Sequence, residues 1–142
     1  MAEVTTNNQI DFELVSPQRL MKSEPVEMVV VPGAEGDFGV LPGHSLLIAT
    51  VRPGVIDIHE GGAVKERIFV AGGFAEVSPE RCTVLAEEAV PVGDIDKAAA
   101  EKRLEDAKAA KVKADEDPDA TSTAAERELI AAEAMLAAVP QS

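Results

Sequence analysis

Up to about residue 90, apolar and polar positions alternate with the period of two that marks half-buried strands. IDFELV (10–15) sets Ile10, Phe12 and Leu14 against Asp11, Glu13 and Val15. VEMVVV (26–31) follows Pro25 and stops at Pro32-Gly33. Similar runs are Leu46 to Val51, VIDIHE (55–60), AVKERIFVA (63–71), FAEVS (74–78) and RCTVLAE (81–87). Turn chemistry separates them. Arg52-Pro53-Gly54 suits a type II turn, with Pro and Gly at its central positions. Gly61-Gly62 supplies two positive φ angles for a tight hairpin, and Ser78-Pro79-Glu80 marks another turn. Roughly nine or ten short strands at this spacing predict a sandwich or barrel of antiparallel pairs.

The period changes near Gly93. All ten glycines lie at or before it, whereas fifteen alanines fall in the 49 residues after it. This break predicts a β domain over residues 1–93 and a helical hairpin over 94–142. Asp94 is the expected N-cap of a first helix running from Ile95 to about Ala114, with Ala100, Leu104, Ala107 and Ala114 as its apolar stripe. DEDPD (115–119) breaks it, because Pro118 does not fit a helix interior and four acids repel one another. Thr123-x-x-Glu126 reads as a capping box for a second helix, whose stripe is Ala125, Leu129, Ala132, Leu136 and Val139, ended by Pro140. Both stripes are mostly alanine. At ~25 cal/mol per Å² of apolar surface, such a hairpin is expected to be weakly anchored.

Composition narrows the function. The 142 residues carry a formal charge of −13, spread over both halves, which opposes contact with nucleic acid or with an anionic bilayer. No apolar run approaches the ~20 residues of a membrane span, and MAEVTTNNQIDF has neither the basic nor the apolar region of a secretory leader. The lone Cys82 fits a reducing cytosol and is expected to be a small buried hydrophobe.

The stretch VVVPGAEGDFGVLPGHSLL (29–47) is the most distinctive. A phosphate cradle would need another glycine spacing, a following helix N-terminus and no acids, whereas Glu35 and Asp37 lie inside this loop. A surface turn between strands is expected instead. His44 and His59 have no Cys or third His at ligand spacing, so no metal site is expected. His44 and Ser45, as neighbours on one strand, would point to opposite faces. Lys102, Arg103, Lys108, Lys111 and Lys113 give the first helix a basic side. That side is either a solvated face with local ion pairs such as Glu105–Lys108, or a surface for an acidic partner. These residues describe an acidic interaction module without a catalytic constellation. A free-standing ligand-binding sandwich and a small hydrolase using His44 are the alternatives.

VPGAEGDFGVLPGHSLLIATVRPG (31–54), FVAGGFAEV (69–77), VLAEEAV (84–90) and DID (94–96) opening an alanine-rich hairpin together resemble the epsilon subunits of bacterial F-type ATP synthases. The third of these is close to the homologous mitochondrial delta subunit. The resemblance covers nearly the whole chain, in order. It implies an all-β, ten-stranded sandwich followed by an antiparallel α-helical hairpin. The implied role is a non-catalytic rotor subunit without a cofactor, linking the gamma subunit to the ring of c subunits. Membrane association would come only through that complex, at the cytoplasmic face of a bacterial inner membrane.

By the same resemblance, the acidic ring-contacting residue falls on Asp37, within Glu35-Gly36-Asp37, and His44 lies close to that interface. In family members that bind ATP, the first helix opens Ile/Leu-Asp-x-x-Arg-Ala. Here Ile95 and Asp96 are retained, but Ala99 stands in place of the arginine, and Glu133 and Ala137 take the places of second-helix arginines. Weak or absent ATP binding is expected, since a phosphate chain needs such cations. The family hairpin can also extend toward the catalytic head (the alpha and beta subunits) and block hydrolysis. With IAAEAMLAAV (130–139) uncharged apart from Glu133, only weak inhibition is expected.

Overall fold

The computed structural model describes residues 8–119 and 122–140. The leader expectation concerns mainly residues outside these. Ten strands form one continuous ladder: β1 (Ile10–Val15), β2 (Leu20–Val26), β3 (Met28–Gly33), β4 (Gly36–Val40), β5 (Leu47–Val51), β6 (Gly54–Glu60), β7 (Ala63–Val70), β8 (Gly73–Val77), β9 (Arg81–Ala86) and β10 (Ala89–Pro91). Their order is β10-β7-β6-β3-β5-β8-β9-β1-β2, with β4 pairing β3 off this path. The pairs are antiparallel except β1–β9, which is parallel and so departs from the all-antiparallel expectation. The chain enters through β1 and returns 66 residues later in β9 beside it, a long-range closure that no hairpin rule encodes.

The inward faces enclose one apolar core. Ile10, Phe12 and Leu14 of β1, Val29 and Val31 of β3, Ile56 and Ile58 of β6, and Val84 of β9 are fully buried. Cys82 belongs to this core, and burial pushes its thiol up to about 12. Near the two ends of the ladder, Lys22 of β2 meets Glu66 of β7 at 2.6 Å, and Lys65 meets Glu24 at 3.4 Å. These pairs cross-link β2 to the penultimate strand and bring the sheet back on itself as a sandwich.

Three strands escape the hydrophobic alternation. β2 reads LMKSEPV, and its Pro25 is tolerated because β2 ends the ladder. β4 reads GDFGV, rich in residues that strands avoid. β10 is only three residues long. The turn expectations divide. Gly61 and Gly62 have φ of 63° and 79°, as a primed hairpin turn demands. Gly54 has no positive φ and already pairs with Val70 in β6, so the type II turn at Arg52-Pro53-Gly54 is not formed.

After a short 3-10 turn (Val92–Asp94) come α1 (Lys97–Glu116) and α2 (Thr123–Ala138). The N-cap of α1 is Asp96, whose carboxylate accepts from the Ala98 amide at 3.0 Å; Asp94 belongs to the preceding turn. At α2, Thr123 is already helical, and the N-cap Ser122 makes no side-chain cap bond, so the capping box does not form. The stripes bury as their spacing predicts, with Ala100, Ala107 and Ala132 covered. A second face of α2 was not foreseen. Ala131 and Ala138 pack with Phe69, Ala71 and Val92 of the sandwich, making a satellite core under the hairpin.

Candidate functional site

Gly33 to Gly36 is a two-residue hairpin tip joining β3 and β4, with Gly33 paired to Gly36. A Cβ on Gly33 would lie 2.7 Å from the Gly36 carbonyl oxygen and 3.0 Å from the Phe38 ring, so the close approach of the two strands excludes any side chain there. The tip is therefore a rigid, protruding hairpin, and Asp37 is a strand residue of β4 paired with Pro32, correcting its placement in an open loop. Ala34 N–H donates to Thr50 O at 2.8 Å and Arg52 N–H to Pro32 O at 2.8 Å, which ties the hairpin to the end of β5.

Arg52 completes this splint. One guanidinium nitrogen donates to the Gly33 carbonyl and another to Asp37 Oδ1, both at 2.5 Å. Asp37 is thus already paired within the chain, while Glu35 sits exposed at the very tip. Two acids and one guanidinium leave this end of the sandwich net acidic.

His44 is elsewhere. It lies in the turn between β4 and β5, half-buried, with its Nδ1 2.7 Å from the Ser45 carbonyl oxygen. The neighbouring Gly43 N–H donates to Pro79 O at 2.8 Å, so this turn sits at the Leu47 end of β5. The acidic tip is at the opposite, Val51 end. Glu35, Gly36 and Asp37 form one cluster; His44 does not join it. It is also in a turn, so its relation to Ser45 is not that of strand neighbours.

The outer face of β5, β8 and β9 is unexpectedly apolar. Ile48 is 74% exposed and Leu46 79%, while Phe74 and Leu85, cross-strand partners on β8 and β9, are 59% and 54% exposed. The same alternation that buries Ala75 and Val77 turns Phe74 outward, so the sequence held the signal. Large apolar side chains clustered in water mark interaction surfaces.

Ile95 packs against the satellite core under the hairpin, and Asp96 caps α1; both retained motif residues therefore have structural work. Ala99, Glu133 and Ala137 are all exposed. The basic side of α1 is largely neutralised locally by Lys102–Asp106 at 3.0 Å and Lys111–Asp115 at 2.6 Å, in place of the expected Glu105–Lys108 pair. Arg103 instead turns inward and grips Glu88 and Glu128. The hydrogen bonds that Arg103 donates to Glu128, then those it donates to Glu88, raise its pKa, and the guanidinium in turn lowers that of Glu128. Beside this pair runs an open groove of about 680 Å³ lined by Thr50, Arg52, Gly72, Phe74, Arg127 and Ile130, among others.

Residues 9–92 match the family described as ATP synthase, Delta/Epsilon chain, beta-sandwich domain. The ATP synthase epsilon chain of Paramagnetospirillum magneticum is 59% identical over 131 residues, covering 92% of this chain and 97% of that one. The epsilon chain of Granulibacter bethesdensis is 48% identical, over 92% and 96% of the two chains. A chain in the Euglena gracilis mitochondrial ATP synthase OSCP/F1/c-ring assembly, in rotational state 1, superposes with a TM-score of 0.77 at 29% identity, over 97% of this chain and 86% of that chain. Sandwich, hairpin and sequence agree, and the chain belongs to the ATP synthase delta/epsilon family.

Proposed function

We propose that this chain is the non-catalytic central-stalk subunit of a rotary ATP synthase, which couples ion flow to ATP synthesis by joining the gamma subunit to the c-subunit ring. The family match supports this, and one structural observation carries it: two unlike docking surfaces lie on one rigid sandwich. The acidic hairpin tip, with Glu35 and Asp37, fits a basic polar loop. The apolar face of Ile48, Phe74 and Leu85 fits a large hydrophobic partner surface. We assign the tip to the ring and the apolar face to gamma. An exposed carboxylate contributes only ~0.2–1 kcal/mol to such a contact. Its role is register and encounter, while the apolar face supplies affinity.

Residues 1–93 are then the docking part and 94–142 a regulatory hairpin. The complex holds the chain at the cytoplasmic face of the membrane; no described helix is long and apolar enough to cross one. The hairpin inhibits hydrolysis weakly, because Ala99, Glu133 and Ala137 present no cations to a partner acid or a phosphate. Tagged chain should co-purify gamma and c subunits from detergent-solubilised membranes. Recovery of neither would refute the assignment. Removal of residues 94–142 should change hydrolysis by the reconstituted complex little, and a large rise would show a strong brake.

A further inference from the structure

The hairpin rests on few apolar atoms. Beneath it the buried contacts are Ala131 and Ala138 against Phe69, Ala71 and Val92, with Val55, Ile95, Ala134 and Met135 only partly buried beside them, and an alanine methyl contributes little area. Polar contacts therefore add materially to what holds it docked. One side chain dominates them. Arg103 Nε donates to Glu128 Oε2 at 2.8 Å and Nη2 to Glu128 Oε1 at 3.0 Å. Its Nη1 and Nη2 donate to the two oxygens of Glu88, each at 3.0 Å, and Nη1 also reaches Met135 Sδ at 3.5 Å. All five guanidinium hydrogens are occupied.

The geometry ties three elements to one group. Arg103 is on α1, Glu128 on α2, and Glu88 in the turn between β9 and β10. That turn is itself fixed, since Glu87 N–H donates to Gly72 O at 3.1 Å and Ala71 N–H to Glu88 O at 3.0 Å. The Arg103 side chain is only 24% exposed. Undocking therefore breaks the bidentate fork between Arg103 and Glu88, and loss of the guanidinium alone leaves the Glu88 and Glu128 carboxylates facing each other. A second, exposed pair, Arg127–Glu87 at 3.4 Å, lies on the same seam.

We infer that Arg103, Glu88 and Glu128 form an ionic latch that holds the helical hairpin on the sandwich without nucleotide. Arg103 lies one helical turn beyond Ala99, and its donors are saturated by the chain's own carboxylates. No free cation of this fork remains for a phosphate.

Thiol labelling of full-length Ala138→Cys tests the latch on the isolated chain, separately from assembly with any stalk. Position 138 is covered by the docked hairpin (7% exposed), while native Cys82 is in the sandwich core (0%) and reports global opening. Adding Arg103→Gln should speed labelling at 138 at least about tenfold, the loss of charged hydrogen bonds, with Cys82 unchanged. The exchanged pair Arg103→Glu with Glu88→Arg should slow it again. Millimolar Mg-ATP should leave the rate of the Ala138→Cys chain unchanged. An unaltered rate in Arg103→Gln, equal acceleration at both cysteines, or slowing by Mg-ATP would each overturn the inference.

Discussion

Ile48→Thr isolates the apolar face from the fold that presents it. Ile48 is 74% exposed, so little of its surface contributes to the isolated sandwich. Threonine keeps the β-branch that suits a strand, and the melting temperature should shift by no more than a few degrees. Full burial of an isoleucine side chain is worth about 1.5–3 kcal/mol, so covering the exposed three-quarters should yield about 1–2 kcal/mol. Threonine removes most of that gain, which corresponds to a fall in affinity of roughly 5- to 30-fold. Titration of purified gamma subunit with labelled chain measures it. An unchanged Kd, with Ile48→Thr still folded, would show that gamma docks elsewhere.

Other consequences concern the tip and the charges. Gly33→Ala should destabilise the sandwich by about 1–3 kcal/mol in urea melts, because its Cβ meets the Gly36 carbonyl oxygen at 2.7 Å. Asp37→Lys should weaken ring binding and reduce its salt dependence, measured as c-subunit recovery across a salt series, since it places a second cation beside Arg52. Glu128 has a lowered carboxyl pKa in the fold, caused chiefly by its hydrogen bonds from Arg103. Its contribution is therefore present above the ordinary carboxylate value and lost as pH falls through the lowered one, so the hairpin should loosen in acid below about pH 4, seen as reduced protection of the α2 amides from hydrogen exchange relative to their intrinsic rates. Lys22 is shifted the other way, upward, mainly by its hydrogen bond to Glu66. Its contribution is present below the ordinary lysine value and should fade only as pH rises beyond about 10.4, seen as a falling melting temperature.

Much of this architecture is written locally. Alternation in IDFELV and RCTVLAE predicts the buried faces of β1 and β9, and the loss of glycine after Gly93 marks where strands yield to helices. Local rules fail where a distant partner decides. Polar β2 is a strand because β1 offers it a free edge, and β4 because the Gly33–Gly36 tip folds it back on β3. Likewise, Arg52 reaches Asp37 across 15 residues, and Arg103 reaches Glu88 and Glu128 across 15 and 25. Neither spacing belongs to the i,i+4 rule that makes Lys102–Asp106 foreseeable. At the caps, sequence leaves several acids or hydroxyls in competition. Asp96 takes the role expected of Asp94 because the 3-10 turn uses up Val92–Asp94 first.

Proton-driven ATP synthesis in membrane vesicles stripped of this chain, then supplied with it, tests the rotor assignment most directly. Stripped vesicles should synthesise little ATP, and added chain should restore synthesis in proportion to the amount bound. Full synthesis without the chain, or turnover of ATP by the purified chain alone, would contradict its role as a non-catalytic coupling subunit.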